Sequence, residues 1–124
     1  YNVTCAATMG QYAAIEALRN GDEDIKRMRS EYDKRRKFLF ESLREMGLES
    51  FEPKGAFYVF PSIKKTGLSS EEFAKRLLHE AKVAAVPGNS FGENGEGFVR
   101  MAYATSMENL EEAVKRIGNF IKKF

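Results

Sequence analysis

The sequence has one cysteine, one histidine and little excess charge of either sign. A single thiol, Cys5, leaves no internal disulfide possible and makes a reducing, cytoplasmic setting the simpler expectation. His79 sits in a helical stretch near Lys75, Arg76 and Glu80, with the cysteine far away in sequence. That arrangement argues against a metal set or a Cys–His pair, and His79 reads as a surface residue. No stretch approaches the roughly 18 apolar residues that a membrane-spanning helix needs. The formal net charge is +2, with acidic and basic side chains interleaved. Nucleic acid and anionic membrane therefore have no electrostatic basis as partners. Tyr1-Asn2-Val3-Thr4 carries neither an initiator methionine nor a signal pattern, so the chain is expected to be a fragment that has lost something upstream. Asn2-Val3-Thr4 matches a glycosylation acceptor, but nothing else suggests secretion.

What is present is ordinary for a folded domain: 124 residues, 43% hydrophobic and 31% charged, enough to bury a core without metal or disulfide. A first helix is expected from about Ala6 to Asn20, with Met9, Ala13, Ala14, Ala17 and Leu18 as apolar positions and Gly21 as a left-handed stop. Asp22 reads as the N-cap of a longer helix, with Glu23 and Asp24 facing its positive end. Ile25, Met28, Tyr32, Leu39, Leu43 and Met46 form a continuous apolar seam, and Gly47 ends it. After a turn at Pro53-Lys54-Gly55, a strand is expected over Ala56–Phe60. Ser69 and Glu72 have capping-box spacing ahead of a helix from about Ser70 to Lys82, with Phe73, Leu77 and Ala81 inside. Val83–Val86 reads as a short strand stopped by Pro87-Gly88, and Phe98–Ala104 as the next. Thr105 or Ser106 caps a last helix whose buried stripe is Leu110, Ala113, Val114, Ile117 and Ile121. The expected fold is α/β (α+β): a helix pair, then β-α-β-β-α, a small mixed sheet of short strands covered by helices.

Arg100 is the first candidate for chemistry. Side chains alternate along a strand, so Arg100 shares its face with Phe98, Ala102 and Ala104, while Val99, Met101 and Tyr103 take the other. Both faces look largely buried. A guanidinium so placed cannot shed its proton and needs a carboxylate or phosphate, which its flat fork matches. An internal salt bridge or an exposed strand end would meet the same need. The glycine-rich stretch Gly88–Gly97 is read as a turn rather than a phosphate cradle, because no helix opens from it and Glu93 and Glu96 would repel an anion. The run Asp33–Lys37 reads as the wet side of the long helix. Phe57, Tyr58, Phe60 and Phe91 are core by default, although Phe57 and Phe91 stand beside glycines where a ligand could approach.

Several segments together resemble the class I/II aminotransferases of pyridoxal-phosphate (PLP) fold type I. Gly55-Ala56-Phe57-Tyr58-Val59-Phe60 resembles the family's Gly-x-Phe-Tyr strand, and Val83–Gly92 its strand followed by Pro-Gly-x-x-Phe-Gly. Phe98–Ala104 with Glu108-Asn109-Leu110 is similar to the strand that carries the substrate arginine and the helix after it. Thr8–Ala14 resembles the helix following the cofactor lysine segment. They stand in the family's order and cover essentially the whole chain.

The resemblance implies the C-terminal, small domain of such an enzyme. Residues 1–21 would be a remnant of the large-domain interface, 22–47 a connector helix and 48–124 the small α/β domain. Arg100 would bind the α-carboxylate common to amino-acid and 2-oxo-acid substrates, Phe57 would line the same pocket, and the domain would close over the substrate. The Schiff-base lysine, the acid at the pyridine nitrogen and the phosphate-binding groups belong to the family's large domain. Hence no catalytic, cofactor-binding or metal-binding residue is assigned here, and the fragment alone is expected to be inactive. The missing N-terminal domain and a second copy in a homodimer are the implied partners. Alternatives are another fold type I PLP enzyme (a lyase, decarboxylase or acyltransferase) or a stand-alone, non-catalytic module binding a carboxylate or a protein.

Overall fold

Two glycines stop the N-terminal helices, each for its own physical reason. Helix α1 spans Thr8–Asn20 and helix α2 spans Asp22–Glu45; the structure, a computed structural model, describes residues 5–124. The Asn2 triplet lies outside the described residues. Gly21 is not left-handed as the sequence led us to expect: its φ is −83° and ψ −4°, and its N–H donates to the Ala17 carbonyl. A side chain is excluded there by space, since a Cβ would come within 2.4 Å of that carbonyl oxygen. The Gly21 carbonyl in turn accepts from Ile25 N–H at 3.0 Å, so Asp22 is inside the first turn of α2 rather than capping it. Its charge still complements the helix end, with those of Glu23 and Asp24. Gly47 is the left-handed stop, at φ +73°. Leu48 N–H donates to the Leu43 carbonyl at 2.9 Å and Gly47 N–H to that of Arg44 at 2.8 Å, the paired bonds of a Schellman ending.

The chain forms two compact units, Tyr1–Glu31 and Tyr32–Phe124, and the boundary falls within α2. The first unit has no buried side chain in α1, and Met9, Tyr12, Leu18, Ile25 and Met28 are exposed. The seam expected along α2 is therefore discontinuous: Tyr32 is also exposed, whereas Leu39 and Leu43 are fully buried and Met46 packs against them.

In the second unit those two leucines join one core with Leu48, Val59, Ile63, Phe73, Leu77, Val99, Met101, Tyr103, Leu110, Ile117, Phe120 and Ile121. Helix α3, Ser70–Arg76, begins as its capping spacing predicts, with Ser69 Oγ accepting from Glu72 N–H at 3.2 Å. It then widens into a π turn, Leu77–Ala81, closed by Lys82 at φ +57°. Helix α4, Met107–Ile121, is capped by Ser106, whose Oγ accepts from Asn109 N–H at 3.3 Å.

The sheet is smaller than expected, and antiparallel rather than mixed. Strands β1 (Tyr58–Val59), β2 (Val86–Pro87) and β3 (Val99–Ala102) lie in the order β1-β3-β2, with both pairings antiparallel. Ala56 and Phe57 belong to a turn instead of β1, and Ala56 takes φ +56°. The expected strand at Val83 is displaced to Val86–Pro87. A proline is admissible there because β2 is an edge strand and needs no outward N–H partner. Val59, Val99, Met101 and Tyr103 point into the helices. The opposite face is not buried: Ala102 and Ala104 are exposed, and Phe98 and Arg100 half-buried.

Candidate functional site

Arg100 stands in the central strand, directly opposite Val86 of β2. Tyr58 of β1 pairs with Ala102, two residues on from Arg100, so its ring falls on the same open face as the guanidinium. Phe91 reaches that face from the glycine-rich loop. The ring centroids of Tyr58 and Phe91 each lie 4.3 Å from Arg100 Cζ. No carboxylate pairs with Arg100 among the described residues. The guanidinium is thus neither locked to an acidic neighbour nor fully in solvent. Cation–π contacts occupy it without neutralising its charge.

Phe57 is 40% exposed, and Phe91 51%, so neither is the core residue that the sequence suggested by default. Phe57 packs on Tyr58 at 4.5 Å between centroids and stacks on Tyr32 of α2 at 6.2 Å. A row Tyr32–Phe57–Tyr58–Arg100–Phe91 therefore joins the helix to the loop across the sheet. The backbone of this row is tied down at one end by Tyr103, whose N–H donates to the Phe57 carbonyl at 2.9 Å and whose hydroxyl donates to that of Ala56 at 3.2 Å. Burial of the phenol raises the pKa of Tyr103, keeping it a neutral donor.

The glycine-rich loop is folded into two 3₁₀ turns, Gly88–Phe91 and Glu93–Gly95. Gly88 and Gly95 pack backbone to backbone: a Cβ on Gly88 would come 2.2 Å from the Gly95 carbonyl oxygen. The loop is fastened to α3 by Ser70, whose buried Oγ accepts from Gly97 N–H at 2.9 Å and Phe98 N–H at 3.3 Å. Glu96, read from sequence only as an anion-repelling charge, accepts from Ser70 N–H at 2.8 Å and so satisfies the helix end. The contributions of Tyr58, Ser70 and Glu96 were not visible in the sequence. Only the face parity of Tyr58 with Arg100, which needs the strand register, could have pointed to the first.

The charge run of α2 is not uniformly wet. Arg36 keeps only 16% of its side chain exposed, bonding Asp33, Glu52 at 2.7 Å and the Pro53 carbonyl at 3.1 Å. Those partners hold its pKa above the usual arginine value, hydrogen bonding to Glu52 foremost. His79 is exposed, as expected, and no group of three or more His, Cys, Asp or Glu able to hold a metal occurs among the described residues. No helix there is long and apolar enough to cross a membrane.

Residues 1–117 match the family model described as aminotransferase class I and II. The chain is 53% identical to an aspartate aminotransferase of Pyrococcus abyssi, with 99% of this chain and 32% of that protein covered. It is 51% identical to aromatic-amino-acid aminotransferase 2 of Thermococcus litoralis, with the same coverage of both. The structure of an aromatic aminotransferase from Pyrococcus horikoshii superimposes with a TM-score of 0.94 at 50% identity, over 99% of this chain and 33% of that one. The chain thus spans about a third of the length of the relatives it matches. Enzymes of this family depend on pyridoxal phosphate. The described residues do not themselves fit that group: every lysine among them is exposed, and none is held where an imine would be shielded from water. With the family model matching nearly the whole chain and half of the residues shared with its relatives, the chain belongs to the class I and II aminotransferases.

Proposed function

We propose that the chain is the C-terminal, small domain of a PLP-dependent aminotransferase, and that Arg100 grips the α-carboxylate of the amino-acid and 2-oxo-acid substrates. One observation carries this reading: a half-buried guanidinium on an open sheet face, flanked by aromatic rings, with no carboxylate partner among the described residues. A charge so placed gains most from an anion brought by a ligand. Phe57 contributes an apolar wall beside it and excludes water from the pair. Residues 22–47 serve as the connector and residues 48–124 as the domain that closes, while residues 1–21 pack on the large domain. The cofactor's lysine and phosphate partners lie on that large domain, and the working enzyme is a cytoplasmic homodimer.

The chain's own part in transamination is to hold the substrate. A bidentate grip on the one group common to every donor and acceptor fixes the orientation of the Cα–H bond before a proton moves. PLP, when bound by the rest of the enzyme, supplies the electron sink. The same grip would serve a lyase or decarboxylase of this fold type, but the relatives named above are aminotransferases, which favours transamination.

The test uses the full-length protein. Arg100→Ala is expected to weaken amino-acid and 2-oxo-acid binding by about 2–5 kcal/mol while the cofactor's absorbance shows it still attached. An amino-acid half-reaction of normal efficiency in that variant would reject the assignment.

A further inference from the structure

A guanidinium grips a carboxylate bidentately when its fork lies in the carboxylate's plane, and a lone arginine on a sheet face has rotamers to spare. In this chain two aromatic rings reach Arg100 from distant parts of the sequence. Tyr58 comes from β1 by strand register, and Phe91 comes from a loop 33 positions later (91 minus 58). Both ring centroids stand 4.3 Å from Arg100 Cζ. Arg100 Cζ thus lies over both ring faces, a position from which a guanidinium can stack on a ring and keep its N–H edge for an anion.

Neither ring is there as core. Phe91 is 51% exposed, although burying it would be favourable, and its loop is braced as if its position mattered. Gly88 packs against Gly95 at one end, and the Ser70 hydroxyl takes the N–H groups of Gly97 and Phe98 at the other. Phe60 meets Phe91 edge-to-face at 6.1 Å and itself stacks on Phe98 at 5.8 Å.

We propose that Phe91 and Tyr58 are positioning residues, which hold the guanidinium plane of Arg100 so that its N–H fork presents edge-on to a substrate carboxylate. The inference rests on the role of Arg100 proposed above. Two consequences separate it from simple packing. The aromatic face matters rather than the bulk, so tyrosine replaces Phe91 and leucine does not. The contribution of Phe91 also passes through the guanidinium, so it vanishes when the guanidinium is gone.

The experiment is a double-mutant cycle in the full-length holoenzyme, reading the amino-acid dissociation constant of the half-reaction and, separately, the urea midpoint. Phe91→Leu is expected to raise that constant on the order of tenfold, while Phe91→Tyr stays within about twofold of the parent. In the Arg100→Ala background, Phe91→Leu is expected to add nothing. An equal loss from Phe91→Leu with and without Arg100 would overturn the proposal in favour of packing. A large loss from Arg100→Ala beside an unaffected Phe91→Leu would overturn this inference alone. Unchanged affinity in Arg100→Ala would overturn it together with the reading on which it rests.

Discussion

The buried hydroxyl of Ser70 accepts the backbone N–H of Gly97, 27 positions away, at 2.9 Å. Through this bond the start of α3 and the end of the glycine-rich loop become one rigid piece, and Phe91 is carried on it. Ser70→Ala would leave the N–H groups of Gly97 and Phe98 buried without that acceptor. The expected cost is about 1–3 kcal/mol of stability, read from the urea midpoint. A loss below about 0.5 kcal/mol would mean that the glycine contact and the bond from Ser70 N–H to Glu96 hold the loop without the hydroxyl.

Gly88 and Gly95 of this loop differ in kind from glycines of ordinary turns. Gly88→Ala would drive a methyl group into the carbonyl oxygens of Gly95, at 2.2 Å, and Phe98, at 2.7 Å. Gly67 has φ +71° but open space around it, so Gly67→Ala meets only left-handed strain. Thermal melts are expected to rank Gly88→Ala as far worse, by about 3 kcal/mol or more, against about 1–2 kcal/mol for Gly67→Ala. Equal effects would contradict the backbone-to-backbone packing.

Acid sensitivity follows from the carboxylates. Hydrogen bonds from Arg76 and then Lys123 lower the pKa of Glu80 from an ordinary 4.5 to about 2. Lys37 and Arg36 lower that of Asp33, and Arg116 that of Glu112. A carboxyl depressed in the folded state adds stability that is fully present above its unfolded pKa and is lost as pH falls through the folded one. The melting temperature is therefore expected to hold above about pH 4.5 and to fall from there toward pH 2, with a shallower fall in Glu80→Gln. These pairs are exposed, so added salt should shrink the difference between the two proteins. Coincident profiles at low salt would rule Glu80 out as a contributor.

Helix α2 is expected to divide under mutation as it does in burial. Leu43 is wholly buried and Met28 is 51% exposed. In the 124-residue chain, Leu43→Ala is expected to cost about 2–5 kcal/mol, and Met28→Ala less than about 0.5 kcal/mol. Comparable losses would show that the first half of the helix is covered by something that the described residues do not supply.

Much of this was legible in the sequence where the cause is local. The Ser69 and Ser106 caps and the Gly47 stop depend on residues within a turn or two, and each is found where spacing put it. The stripe of α4 is buried at Leu110, Ile117 and Ile121 but takes in Phe120 as well, with Ala113 and Val114 half-buried. Sequence reading failed where a distant partner decides. It joined Ile25 and Met28 to Leu39 and Leu43 because periodicity does not say where a core ends. It made Ala56–Phe60 a strand because aromatic content favours one, whereas the sheet offers β1 only two residues of partner. It also placed Arg36 among the wet residues, although Glu52 and Pro53 return to cover it.

By itself, then, the sequence determined the order of helices and strands, the apolar faces of α3 and α4, and the singular position of an arginine in an apolar strand. Those follow from periodicity and capping, which act over a few residues. Only the tertiary structure decided that one sheet face stays open and that Tyr58 and Phe91 meet at Arg100. Strand register and loop closure bring together groups that no local spacing relates, and the role proposed for Arg100 rests on those surroundings.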